Sequence, residues 1–163
     1  MTVIETEFIN NYAGIGGAAI KLLGGFLNIT TSKVAENFAG EYGAAFDVTT
    51  QGPLSSEKTL MYVNQCDISG NTADRGAALY LYDLDDLIVT QSIFRNNSGT
   101  CHTIHLLIII SYDSNYTFAA SRGGAVWCRS NAPALFQGVA FMENLAREGG
   151  AIYAGEPCQI DIE

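Results

Sequence analysis

The chain has 163 residues, 48% of them hydrophobic and 15% charged, with a formal net charge of −9 at pH 7. That size and apolar content suit one domain with a buried core and exclude a chain disordered by composition. The acidic balance excludes the basic footprint that nucleic acid and anionic membranes require, so neither is an expected partner.

From the N-terminus, the first element is Phe8-Ile9-Asn10-Asn11-Tyr12-Ala13, followed by Gly16-Gly17-Ala18-Ala19-Ile20. Both phrases return as Val34-Ala35-Glu36-Asn37-Phe38-Ala39 with Gly43-Ala44-Ala45-Phe46. They return again as Ile68-Ser69-Gly70-Asn71-Thr72-Ala73 with Gly76-Ala77-Ala78-Leu79. The last copy is Phe141-Met142-Glu143-Asn144-Leu145-Ala146 with Gly149-Gly150-Ala151-Ile152. A fixed period in this range is the signature of a solenoid.

Aligned on the second phrase, the chain reads as six coils anchored at Ala19, Ala45, Ala78, Thr103, Ala125 and Ala151. Thr49 to Lys58, with Gly52-Pro53 and Ser55-Ser56, reads as a loop insertion. In the fourth coil Phe94-Arg95-Asn96-Asn97 is followed by Cys101-His102-Thr103-Ile104 in place of Gly-Gly-Ala-Ile. In the fifth, Asn115 and Phe118 precede Gly123-Gly124-Ala125-Val126, which predicts a break in the Asn column at Phe118.

Each closing phrase leads into a run of period two, the pattern of a strand. Ile20 and Leu22 flank Lys21, and Phe46 and Val48 flank Asp47. The apolar members are expected inside and the two charged residues outside, because buried charge is costly. No apolar stripe of helical spacing lasts three turns. Turns this short cannot hold crossover helices, so successive strands are expected to stack in parallel on the next coil. The expected fold is an all-β, single-stranded parallel β-helix of about six coils, one domain over residues 1–163. At about 4.8 Å per coil it forms a rod of about 29 Å. Asn11, Asn37, Asn71, Asn97 and Asn144 are expected to form a ladder at a turn, since Asn tolerates left-handed backbone and its amide bonds neighbouring backbone.

The chain starts and stops inside the repeat, with no polar cap, and Met1 is followed at once by repeat sequence rather than a signal peptide. The expectation is a fragment of a longer repeat protein. The longest apolar run, Leu106-Leu107-Ile108-Ile109-Ile110, is far short of the ~20 residues that cross a bilayer, so this segment is not expected to insert in a membrane.

The paired FxxN and GGA[I/L/V] phrases resemble the repeat of chlamydial-type polymorphic outer-membrane proteins and of similar right-handed, pectin-lyase-like β-helices. The resemblance covers roughly residues 3 to 155 and implies a surface-exposed or secreted protein, often an autotransporter passenger and in several cases an adhesin. It implies extracellular, cell-surface or outer-membrane location. The signal sequence and C-terminal barrel of that family have no counterpart in these residues.

Candidate sites follow from the alignment. One outward column holds Lys21, Asp47, Tyr80, His105, Trp127 and Tyr153, with Tyr82 on the same face as Tyr80. Such aromatics can stack on sugar rings or anchor a protein, so a surface glycan or protein is the expected partner. The same residues also suit an exposed sheet through β-propensity alone. Asp83, Asp85 and Asp86, with Asp74 near another turn, offer carboxylates of the kind that hold Ca²⁺, or else a solvated acidic loop. Cys101, His102 and His105 have metal-ligand chemistry without a closed tetrahedral set.

For glycoside hydrolysis two carboxylates must face each other across the bond, and Asp47 has Lys21 and Tyr80 beside it instead. Of the phrases typical of polygalacturonase-like enzymes, only Asp85-Asp86 is present, in a turn. Arg75, Arg122 and Arg147 fall near one turn of different coils and read as a solvated rim. No catalytic residue is assigned, and the expected role is a non-catalytic, adhesin-like binding or structural scaffold. The alternative is a divergent pectin-lyase-like enzyme on acidic polysaccharide, with Ca²⁺ at the Asp83 to Asp86 cluster. Cys66 and Cys128 are expected in the core, Cys101 and Cys158 in turns, with at most one disulfide and no catalytic cysteine.

Overall fold

The computed structural model describes residues 1–50, 58–99, 122–129 and 133–163. Among these, every regular element is a β-strand, and each pairs in parallel with its equivalent one coil away. The first sheet contains Thr2–Ile4, Gly25–Thr30, Thr59–Asn64, Asp86–Thr90, Pro133–Gln137 and Gln159–Ile162. Glu7–Ile9, Lys33–Ala35, Asp67–Ser69, Ile93–Arg95 and Ala140–Met142 form the second. The third is built from the two-residue strands Tyr12–Ala13, Phe38–Ala39, Thr72–Ala73 and Ser98–Gly99. Ile20–Leu23, Phe46–Thr49, Leu79–Tyr82, Val126–Arg129 and Ile152–Ala154 form the fourth. The fold is a parallel β-helix of five coils plus the opening strand of a sixth.

The register corrects the division of the middle of the chain. Leu79 pairs directly with Val126, and Phe94 with Phe141. The Phe94 opening phrase and the Gly123 closing phrase therefore belong to one coil. Equivalent asparagines are 26 residues apart in regular coils, 34 across the first interruption and 47 across the second. Subtracting the regular 26 leaves 8 extra residues in the first and 21 in the second. Those 21 come close to a period in length, which is why sequence spacing alone reads them as a coil. Residues 51–57, and Cys101 to Ile110 with Asn115 and Phe118, lie outside the described residues.

Alternation fills the interior as expected. Val34, Ile68 and Phe94 are buried in one column, and Leu27, Met61 and Leu87 in another. Phe94, Phe136 and Phe141 meet with ring centroids 5.2–6.4 Å apart. Each fully buried side chain of this size contributes about 1.5–3 kcal/mol relative to exposure. The narrow corner beside the third sheet is lined by Ala39, Ala44, Ala73 and Ala77, all buried.

Three columns of left-handed residues turn the chain. Glu5, Thr31, Gln65 and Gln91 have φ between 46° and 52° after the first sheet. Asn10, Glu36, Gly70, Asn96 and Glu143 follow the second sheet, and Gly17, Gly43, Gly76, Gly123 and Gly149 precede the fourth. At Gly43 only glycine fits, because an added Cβ would run into the Phe46 carbonyl oxygen.

Asn11, Asn37, Asn71, Asn97 and Asn144 form one continuous ladder. Each of the first four donates both its backbone N–H and its side-chain Nδ2 to Oδ1 of the next Asn, at 2.8–3.1 Å. Asn37, Asn71, Asn97 and Asn144 also donate from Nδ2 to the carbonyls of Phe8, Val34, Ile68 and Phe94. Asn71 and Asn97 are wholly buried, which such complete bonding permits. The left-handed residue is the one before the ladder Asn, not the Asn itself. The amide, not backbone tolerance, is thus what the position demands. Asn97 bonds Asn144 directly, so the column carries no break at Phe118.

A second polar column runs through Ser32 and Ser92, whose hydroxyls accept from the backbone N–H of Thr6 and Cys66 and donate to Thr30 and Thr90 carbonyls. Cys66 stands in the same column as a free, buried thiol, its pKa pushed up by burial. Cys128, also buried, is in a disulfide with Cys158, which ties the fourth sheet to the segment leading into Gln159–Ile162.

Candidate binding faces

On the fourth sheet the outward column is Lys21, Asp47, Tyr80, Trp127 and Tyr153. His105 lies outside the described residues, and Tyr80 pairs directly with Trp127. Tyr82 is half-buried and lines up with Thr49 and Arg129.

Asp47 corrects the expectation of a solvated outward charge, since it is only 1% exposed. Lys21 Nζ sits 2.6 Å from its Oδ2, and Thr49 Oγ1 donates to Oδ1 at 3.2 Å. Gly16 makes the room, because a Cβ there would lie 2.6 Å from Asp47 Oδ2. Pairing and hydrogen bonding are what make a buried carboxylate tolerable.

The aromatic residues stack on one another. Tyr80 and Trp127 have ring centroids 4.6 Å apart and planes 7° from parallel. Tyr42 packs on Tyr80 at 4.6 Å with a 35° tilt. The spacing between coils is close to the stacking distance of aromatic rings, so rings in one column meet face to face. Trp127 is buried as a result of its surroundings, at 7% exposure, and the column does not form the flat sugar-stacking surface that its outward position suggests. Burial, then the neighbouring Tyr42, pushes the Tyr80 phenol up to about 12. The Tyr42 phenol is also raised, by burial first and then by its hydrogen bond to Glu41.

Sequence reasoning missed Tyr42. Its signal was its place immediately before a left-handed glycine, in register with Gly16, Arg75, Arg122 and Glu148. Arg75 lies over the Tyr42 ring at 5.7 Å and Arg122 over the Tyr153 ring at 5.0 Å. Arg122 Nε also bonds Glu148 Oε2 at 2.9 Å. The turn rim is therefore an arginine–tyrosine edge, with Glu148 rather than Arg147 in the next place.

The acidic residues have separate uses. Asp85 Oδ2 accepts from the Thr59 backbone N–H at 2.7 Å, and Asp85 N–H donates to the Thr59 carbonyl at 3.0 Å. Asp83 is exposed with φ 55°, and its carbonyl accepts from Thr50 Oγ1. Asp86 opens a strand opposite Leu60. Asp74 lies beside Arg75, 3.9 Å from its Nε. Among the described residues no three His, Cys, Asp or Glu side chains gather to hold a metal ion.

The outer face of the second sheet carries a cleft of about 240 Å³ lined by Lys33, Ala35, Glu36, Ser69, Gly70, Arg95 and Asn96. It exists because three small residues adjoin. Along one column Ile9, Ala35, Ser69 and Arg95 are neighbours, and along the adjacent turn Glu36, Gly70 and Asn96 follow one another. Arg95 is held by Asp67 through Nη2 at 2.6 Å and Nε at 3.3 Å.

Comparison with protein-family models finds none that matches the chain, and no solved structure matches it.

Proposed function

We propose that the chain is a non-catalytic β-helix module of a surface-exposed or secreted protein, an adhesin-like scaffold that meets a partner through its fourth-sheet face. The observation that carries this reading is the Tyr42–Tyr80–Trp127 stack with Arg75, Arg122 and Tyr153 beside it, spread over four coils. Trp, Tyr and Arg are the residues that most often carry interface energy. Because these rings stack on each other with Trp127 buried, what faces a partner is the half-buried Tyr42, Tyr80 and Tyr153 with the Arg75 and Arg122 guanidinium groups. That favours a protein surface over sugar stacking. The resemblance of the FxxN and GGA phrases to the polymorphic outer-membrane protein repeat supports the same reading, and with it a cell-surface or extracellular location.

The test is binding of labelled protein to intact cell surfaces and to immobilised extracellular proteins, with Arg75→Ala/Arg122→Ala as the variant. Binding should fall at least tenfold while the circular dichroism spectrum is kept. Undiminished binding by the variant, or cleavage of polysaccharide by the unaltered protein, would overturn the proposal.

A further inference from the structure

The second-sheet cleft is separate from the aromatic face, and its chemistry differs. It contains no aromatic or large apolar side chain, so an apolar ligand has nothing to pack against. Of its lining, Ala35 is buried and Ser69 and Gly70 half-buried, whereas Lys33, Glu36, Arg95 and Asn96 are exposed. Lys33 and Arg95 stand beside Glu36 and Asp67, which holds Arg95, and Glu7 is in register next to Lys33, so each cation at the cleft has a carboxylate for a neighbour. An anion would meet Glu36 and Asp67, and a cation would meet Lys33 and Arg95. The Arg95 guanidinium already holds the Asp67 carboxylate through Nε and Nη2.

What remains is a lining that both donates and accepts, with its cations beside carboxylates. Lys33 and Asn96 donate, Glu36 accepts, and Ser69 and the Asn96 amide do both. Hydroxyl groups match that mixture, because each can donate and accept in turn. The volume of about 240 Å³ is below the roughly 300–1,000 Å³ of drug-sized sites, which limits the occupant to about one ring. We infer that this cleft binds one neutral pyranose unit, with Ala35 beneath the ring and Glu36, Lys33, Ser69 and Asn96 on its hydroxyls.

Saturation-transfer NMR with methyl glucoside, methyl galactoside and methyl mannoside tests the inference, with glycine and acetate as charged probes. At least one neutral pyranoside should give a transfer signal. Ser69→Trp, which fills the cleft from a half-exposed outward position, should abolish it. Glu36→Gln, on an exposed turn, should weaken it at least threefold. Absence of signal from all three glycosides, an unchanged signal in Ser69→Trp, or preferential binding of glycine or acetate would overturn the inference. Circular dichroism of both variants separates loss of the site from loss of the fold. Because the cleft is on another sheet, the Arg75/Arg122 variant should leave its signal unchanged.

Discussion

Tyr80 and Trp127 stack at 4.6 Å because their strands are direct neighbours, although 46 residues of chain run between them. The contact fixes where the β-helix resumes after its longer interruption, and it joins the two halves of the proposed binding face.

Tyr80 also gives that face a pH signature. Its phenol is raised from 10.0 to about 12, first by burial, so the folded state holds the proton more tightly than the unfolded chain. The stabilisation from this group is complete below pH 10 and is lost as pH rises through about 12. Absorbance titration of tyrosinate should show a late step near pH 12 that Tyr80→Phe removes. A titration unchanged by that substitution would contradict the burial of the phenol.

The Asn ladder is the most demanding part of the interior. Asn71→Ala removes the Oδ1 that accepts from Asn37 N–H and Nδ2 at 3.0–3.1 Å, and the Nδ2 that bonds Val34 and Asn97. Leaving a buried backbone donor without an acceptor costs about 1–3 kcal/mol, and the lost side-chain bonds add to it. Denaturant unfolding should show a loss of roughly 2–4 kcal/mol. A loss within experimental error would mean that water replaces the amide.

Glycines divide into those the fold requires and those it does not. Gly43 has φ 42° and faces the Phe46 carbonyl, so Gly43→Ala should destabilise strongly or prevent folding. Gly14 has open space around its Cβ position, and Gly14→Ala should leave the melting temperature within a few degrees. Equal effects at the two sites would contradict the turn assignment.

The sequence made the coils legible wherever turn chemistry repeats. Gly-Gly-Ala phrases mark left-handed turns, Asn marks the ladder, and alternation around Lys21 and Asp47 marks the inward face. Four features were hidden for physical reasons. An interruption close to a period in length reads as a coil, since spacing cannot report pairing. Asp47 is buried because Lys21 and Gly16 accommodate it, and both lie a coil away. Tyr42 and Tyr80 stand in different columns of adjacent coils and meet only through the stack. The cleft depends on Ala35, Ser69 and Gly70 coming together from two coils, which no single repeat displays.

All of these columns rest on the register that carries the chain from Gly99 to Arg122. In the preceding coil Ala73-Asp74-Arg75-Gly76 joins the third sheet to the fourth-sheet turn, with Arg75 bridged to Arg122. Deleting residues 101–121 removes the 21 extra residues and leaves Gly99-Thr100-Arg122-Gly123 in the same role. Far-ultraviolet circular dichroism through thermal unfolding is the direct measurement. A retained β-sheet spectrum with one cooperative transition is the expected result. A deletion variant that loses its β-sheet signal, or melts without cooperativity, would contradict the direct stacking of Tyr80 on Trp127.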